Sequence, residues 1–275
     1  MRDALSNVRR EAYKTLFQKR TYVGWVGLLL VPFLITLGAR LDNNPHAAGG
    51  DQGPPFFLLI RANGIYVSLA ALAMLASFLL PLVASMVGSY TIAGEAETGT
   101  LRTVLIEPVR RSRLLLAKWF VANLYTAVGL VFIGAGALIA GGLVFGLHPL
   151  TLLSGQTVGF WHGMGLIALA YVFVLFAMAC MVSLAVLIST LTDSSLTAVA
   201  GALVLFILFN VLGAFRVFDW LKPYLFTSHF DAWMNLLRRP IVWGPVRNGL
   251  IAFAAYVVAL TGVALIIFRR KDILS

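Results

Sequence analysis

The chain reads as an all-α polytopic membrane protein with six transmembrane helices. Three observations carry that reading. Hydrophobic residues make up 60% of its 275 residues, against about 45–50% in a soluble domain. Residues 62–94 and 119–192 contain no Asp, Glu, Lys or Arg. Between them lies a short charged insert, GEAETGTLRTVLIEPVRRSRLLLAK, at residues 94–118. A bilayer core about 30 Å thick needs roughly 20 apolar helical residues to cross it. Several runs meet that length. A membrane β-barrel would alternate apolar and polar residues, and these runs do not.

Residues 1–20 read as an amphipathic helix on the membrane surface. Leu5, Val8, Ala12, Leu16 and Phe17 recur at helical spacing. Arg2, Arg9, Arg10, Lys14, Lys19 and Arg20 surround them as cationic anchors for an anionic interface. A cleavable signal peptide is the competing reading. The charged region is long for a signal, and the apolar run behind it exceeds a usual h-region.

The first span is residues 22–39, with Pro32 inside it. Neighbouring helices can satisfy the carbonyl that a proline frees. Residues 40–63 are rich in Gly, Pro and Asn and form a loop. The second span is 64–93 and the third 119–147. Each is about 43–45 Å long as a helix, so both tilt or project beyond the lipid. Gly129, Gly134, Gly136, Gly141, Gly142 and Gly146 crowd the third span and permit close helix packing. The fourth span is 163–191, a tight turn follows at 192–195, and the fifth span is 196–215.

Residues 216–247 place Phe218, Trp220, Tyr224, Phe226, Phe230, Trp233 and Trp243 among charges. That mixture suits an external segment at the membrane interface, partly re-entrant. Phe230, Trp233, Met234 and Leu237 fall on one face of a short helix. The sixth span is 248–268.

Six spans leave both termini on one side. The N-terminal segment, the insert and the tail carry 14 of the 21 Lys and Arg residues. The positive-inside rule puts that side in the cytoplasm. The net charge of +10 is therefore topological and no sign of nucleic-acid binding. The single cysteine, Cys180, excludes an internal disulfide. With Met178 and Met181 it could touch Cu(I), but flexible packing is the stronger reading.

No energy source is visible. The dipeptide Gly-Lys never occurs, so a phosphate-binding loop is absent. The string LSGQ at 153–156 resembles part of an ATP-cassette signature, yet nothing around it forms a nucleotide-binding domain. The predicted spans hold no charged residue, which argues against ion coupling and against an intramembrane hydrolase. Ser85, Ser89, Tyr90, Asn123, Tyr125, Thr126 and Asn210 are uncharged polar residues in the spans. They can line a substrate pathway or simply bond helix to helix.

The insert is then the candidate input. Glu95 and Glu97 stand at the end of the second span. Thr98 can cap a short helix, with Leu101, Val104 and Leu105 as its apolar stripe and Pro108 as its stop. Arg110, Arg111 and Arg113 follow, able to reach lipid phosphate or a partner. Such a helix, held between two long membrane helices, is a lever for whatever grips it. A non-ATP-coupled channel, carrier or assembly scaffold is the alternative, with the insert an ordinary solvated loop.

Taken together, Gly94-Glu95-Ala96-Glu97-Thr98-Gly99-Thr100-Leu101, then Pro108-Val109-Arg110-Arg111-Ser112-Arg113 and Lys118, resemble the ABC-2 type permeases. These are membrane subunits of bacterial ATP-driven exporters. The ending Phe268-Arg269-Arg270-Lys271-Asp272-Ile273 resembles that family's terminus, and the layout agrees over essentially the whole chain.

The resemblance implies a type V exporter-like fold in the bacterial inner membrane with both termini cytoplasmic. It implies a second permease copy or close paralogue, and an ABC ATPase present twice that binds ATP and Mg. It implies a coupling region comprising Glu95, Glu97, Thr98, Gly99, Thr100, Leu101, Arg102, Leu105, Pro108, Arg110, Arg111 and Arg113. The N-terminal helix becomes an elbow beside it. Cargo in the family ranges over antibiotics, lipids, polysaccharides and peptides. The uncharged spans favour a hydrophobic or amphipathic one.

Overall fold

The computed structural model describes residues 9–13, 19–99 apart from 42–56, and 111–270. Side chains of residues 19–21 are not described. Six helices among the described residues are long and apolar enough to cross a membrane: Tyr22–Leu41, Ile65–Tyr90, Arg111–Phe145, Phe160–Leu191, Ser195–Ala214 and Trp243–Arg270. The all-α polytopic class is therefore what the chain adopts. Residues 9–13 are helical, within the predicted surface helix. The rest of that helix, at 1–8 and 14–18, lies outside the described residues, as does the tail at 271–275.

Helix α1 spans Lys19–Leu41 and contains Pro32. Thr36 donates its hydroxyl to the Pro32 carbonyl at 2.8 Å, a back-bond that bends helices near a proline. The second span is built in three pieces. Helix α2, Ile65–Met74, runs into a π turn at Leu75–Leu79 and then into α3, Leu80–Tyr90. Pro81 lacks the N–H that a regular turn needs. The wider turn just before it absorbs the interruption: the Leu80 N–H reaches back to the Leu75 carbonyl. After a turn at Thr91 the chain enters the short helix α4, Ala93–Glu97.

Helix α5, Arg111–Phe145, is 35 residues long. It starts eight residues before the expected 119, so Arg111, Arg113 and Lys118 ride on the same rigid rod as the third span. Charge placed the lipid boundary at 119, but a helix does not end where lipid does. Helices α6 (Phe160–Leu191), α7 (Ser195–Ala214) and α8 (Trp243–Arg270) follow. Each of α6 and α8 also begins three or more residues ahead of its apolar run.

Helix α6 is the centre of the bundle. It packs on α8, α3, α5 and α7, and its middle, from Ala177 to Val186, is almost wholly buried. Ser183 joins three spans there. Its hydroxyl donates to the Ala179 carbonyl at 2.7 Å. It accepts from Trp119 Nε1 on α5 at 2.8 Å and from Thr261 Oγ1 on α8 at 3.3 Å.

Small residues let the other spans approach. A Cβ on Gly141 would overlap the Gly64 carbonyl, and one on Gly64 would overlap Gly141. The Gly64 N–H also donates to the Gly146 carbonyl at 2.9 Å. Gly129 and Gly136 face Leu28 and Leu29 of α1 in the same manner. Of the glycines read from the sequence, Gly129 and Gly136 thus face the first span and Gly141 the start of the second, while Gly134 faces Tyr171 of α6.

One end of the bundle is closed by short segments. Strands β1 (Leu150–Thr151) and β2 (Thr157–Val158) pair antiparallel, with Leu150 opposite Val158. The LSGQ string is the connection between them, which removes it from nucleotide chemistry. Asn63 holds this end together, donating to the His148 carbonyl at 2.8 Å and accepting from the His148 N–H at 3.2 Å. The Tyr66 hydroxyl donates to the Thr151 carbonyl at 2.6 Å.

The stretch expected to be interfacial folds as two 3-10 helices, Arg216–Phe218 and Phe226–Leu237. The second buries Phe226, Phe230, Trp233 and Leu237. Phe230 packs against Phe206 and Phe253, at ring-centroid distances of 5.8 and 6.1 Å. Met234 is partly buried beside them. The expected apolar face is therefore present and turned inward.

Candidate functional site

At the opposite end, the start of the charged insert is fastened to the bundle at two points. The first is Lys118 on α5. Its ammonium lies 2.7 Å from Glu95 Oε1 and 3.1 Å from Glu11 Oε2. The Lys118 side chain is 2% exposed, and the two carboxylates are 9% and 16% exposed. A buried ammonium needs compensating charge, and here two carboxylates share it. Glu11 comes from the N-terminal segment, Glu95 from α4 and Lys118 from the third span. One ion cluster therefore links three parts of the chain more than 20 residues apart.

The second point is Glu97. Its Oε2 accepts the Ser195 N–H at 3.0 Å and the Ser195 hydroxyl. Ser195 opens α7, where N–H groups have no partner within the helix and the helix dipole favours an anion. Ser194 satisfies another of these, accepting the Thr197 N–H. Glu97 thus caps the fifth span from a distance. The Ser195 hydroxyl, and then its backbone N–H, hold the Glu97 carboxyl below its ordinary range.

Thr98 closes α4, donating its hydroxyl to the Gly94 carbonyl at 3.0 Å. Gly99 then turns the chain at φ +70°, a left-handed conformation that glycine adopts without steric cost. Thr100, Leu101, Arg102, Leu105, Pro108 and Arg110, together with Val104 of the expected stripe, lie outside the described residues. Arg113 is exposed on the first turn of α5. Arg111 donates to the Arg269 carbonyl at the end of α8, at 3.4 Å. The insert, the helical residues 9–13 and the end of the last span therefore meet at one end of the bundle.

Above the ion cluster is a cavity of about 670 Å³ between α1, the second span and α5. Gly24 and Gly27 of α1 form one wall, Leu82, Val83 and Met86 another, and Val121 and Tyr125 a third. Glu11, Glu95 and Lys118 stand at its polar end with Tyr90.

Of the residues expected on a pathway, Tyr90 and Tyr125 line this cavity. Ser85, Asn123 and Asn210 bond back to carbonyls four residues earlier on their own helices. Ser89 is fully buried away from it. Sequence reasoning missed the α1 glycines, the α3 wall and the Lys118 cluster. A signal existed: residues 79, 82, 83, 86, 87 and 90 keep helical spacing, as do 118, 121, 122 and 125. Helical spacing in a wholly apolar run does not say which face is hollow.

Comparison with known proteins agrees with this architecture. A family model described as ABC-2 family transporter protein matches residues 4–273. A probable ABC transporter permease protein NosY of Stutzerimonas stutzeri is 39% identical over 85 residues, 30% of this chain and 31% of that protein. The protein of the same name in Pseudomonas aeruginosa is 35% identical over 111 residues, 39% of this chain and 40% of that protein. The matched segments thus span well under half the length of either relative. With six membrane-length helices in place and the family model matched from residue 4 to residue 273, the chain belongs to the ABC-2 transporter family.

Proposed function

We propose that this chain is the membrane subunit of an ATP-binding cassette exporter in the bacterial inner membrane, with both termini cytoplasmic. It forms the route through the lipid and draws its work from a separate ATPase subunit, which binds ATP and Mg. Two copies of the permease, or this chain and a close paralogue, pair with two ATPase subunits.

The observation that carries this reading is the double fastening of the insert. Glu95 connects it to α5 through Lys118, and Glu97 connects it to the first turn of α7. Helix α4 is itself continuous, through one turn, with the second span. Displacement of residues 95–113 is therefore delivered to three spans at once. An ordinary solvated loop has no use for a buried ion cluster at one end and a helix cap at the other. Family membership supports the identity of what grips the insert.

The test is reconstitution. The full chain is purified together with a candidate ATP-binding cassette ATPase from the same organism, placed in vesicles, and nucleotide hydrolysis is measured. The expected result is a stable complex whose hydrolysis depends on the permease. Glu97→Ala should lower the transport rate per ATP hydrolysed while the complex stays intact. A chain that purifies alone, and whose flux is indifferent to nucleotide, refutes the reading.

A further inference from the structure

We propose that the π turn at Leu75–Leu79 is a hinge. It divides the second span into two rods that move with different partners, and so opens and closes the cavity beside the lower rod. The hinge stands on the geometry of this chain alone; that a nucleotide cycle drives it rests on the transport reading.

The residues around the turn favour bending. Pro81 has no N–H for the carbonyl four residues before it, and the i→i+5 ring of a π turn takes in one residue more than a regular turn. Ser77, on the exposed side of the turn, donates its hydroxyl to the Met74 carbonyl at 2.7 Å. Ser85, one turn beyond the proline, donates to the Pro81 carbonyl at 2.7 Å. Such bonds satisfy carbonyls where lipid offers no water, and they bend helices. Sharp bends gather at prolines and π turns, and here both fall together.

The two rods belong to different parts of the bundle. Toward the β-hairpin, α2 packs on α1 and α5, is buried from Ile65 to Leu72, and is held by the Gly64–Gly141 approach. Toward the insert, α3 packs chiefly on α6 and α7. Ala84, Ser85, Gly88 and Ser89 form its buried face, and a Cβ on Gly88 would lie 2.7 Å from the Ala185 Cβ of α6. Its other face, with Leu82, Val83, Met86, Val87 and Tyr90, is a wall of the cavity of about 670 Å³. Across that cavity α1 and α5 are fastened to each other: Trp25 stacks on Tyr125 at a centroid distance of 5.2 Å, and Gly129 abuts Leu28. The seam between the two groups of helices is therefore close-packed on one side of the π turn and hollow on the other. At its far end α3 has a second joint, the turn at Thr91 and Ile92 before α4. It can tilt without unfastening α4 from Lys118 or Ser195. Hinges of this kind are a few residues at element ends that absorb the change in backbone angle.

Electron paramagnetic resonance between pairs of nitroxide labels reads the motion. The full chain is held in lipid nanodiscs, with its buried Cys180 replaced by alanine. One pair joins α2 to α5, at Met74 and Val131; the other joins α3 to α5, at Met86 and Leu116. All four positions are exposed. The expected result is a narrow distance distribution for the first pair and a clearly broader one for the second. Deleting Phe78, exposed in the turn, removes the additional residue and lets the span run as one α-helix with both rods in register. The second distribution should then shrink to the width of the first, which should not change. Pro81→Ala restores the missing N–H and should act in the same direction. Thermal unfolding identifies which straightened variants keep the fold.

A second pair no broader than the first in the native sequence would overturn the proposal. So would an unchanged width in every straightened variant that keeps the fold. These measurements use no ATPase. Their failure leaves the transport reading untouched, while failure of that reading appears only in the nucleotide-dependent measurement.

Discussion

Glu97 and Ser195 stand 98 residues apart in the chain, yet Ser195 gives both its backbone N–H and its hydroxyl to one oxygen of Glu97. A side chain that follows the second span thereby completes the first turn of the fifth. The carboxylate is on the surface, so its worth to stability is small. Its worth lies in keeping the end of the second span and the start of the fifth in register at one end of the bundle.

This contact is pH-dependent with a definite sign. Ser195 lowers the Glu97 pKa. A group whose folded pKa is depressed contributes above its unfolded value and loses that contribution as pH falls through the folded value. The contact should be complete at neutral pH and fail only on the acid side of about pH 4, the usual glutamate range. Hydrogen exchange at the Ser195 amide, corrected for intrinsic rates, reads it directly. Protection should fall in acid for the native chain and show no such step for Glu97→Gln.

Lys118 makes the opposite case, because it is buried. Lys118→Met leaves Glu95 and Glu11 facing each other without the ammonium between them. Removing one partner of a buried pair costs about 3–5 kcal/mol, which should appear as a large drop in thermal midpoint in detergent. Glu95→Gln should cost less, because Glu11 still compensates the lysine. If the two substitutions were equally mild, the cluster would not organise this end of the bundle.

The Gly64–Gly141 approach predicts a position-specific packing defect. Gly141→Ala puts a methyl group into the Gly64 backbone, where neither partner has a flexible side chain to move. Overpacking of this kind costs about 1–3 kcal/mol. Gly262→Ala is the control. Nothing lies within 4 Å of its Cβ, and alanine is the better helix former, so stability should hold or rise. Differential scanning fluorimetry of the pair suffices.

Ser183 should matter modestly. Ser183→Ala removes the acceptor for Trp119 and Thr261 at once. Interhelical bonds in membrane proteins average about 0.6 kcal/mol and reach about 1.7, so the variant should lose roughly that range in unfolding free energy and remain folded.

Much of the architecture was legible because lipid imposes long apolar runs whose limits charges mark. Residues 62–94 show both the strength and the limit of that logic. The absence of charge located the second span, but nothing in composition revealed the π turn at Leu75–Leu79, which answers a local geometric need of Pro81. Helix α5 extends back to Arg111, beyond the span expected from 119, for a related reason: Arg111 and Lys118 are polar enough to leave lipid and helical enough to continue the rod.

The insert stands out in the sequence by its charge pattern, and Glu95 and Glu97 stand out with it. Their partners were not, because Lys118 and Ser195 come from elements that only the fold brings together. Tyr90 and Tyr125 were found among the polar residues of the spans. The cavity between them was hidden, since a hollow in an apolar bundle leaves no mark on hydrophobicity.

The central claim is that residues 95–113 are gripped by a nucleotide-hydrolysing partner. Photocross-linking from a light-activated residue placed at Leu105, in intact cells with the full chain, addresses it most directly. Digestion of the adduct should yield peptides from a protein that carries a G-x-x-x-x-G-K-[ST] loop, on the cytoplasmic side. Adducts confined to lipid or to extracytoplasmic proteins would contradict it.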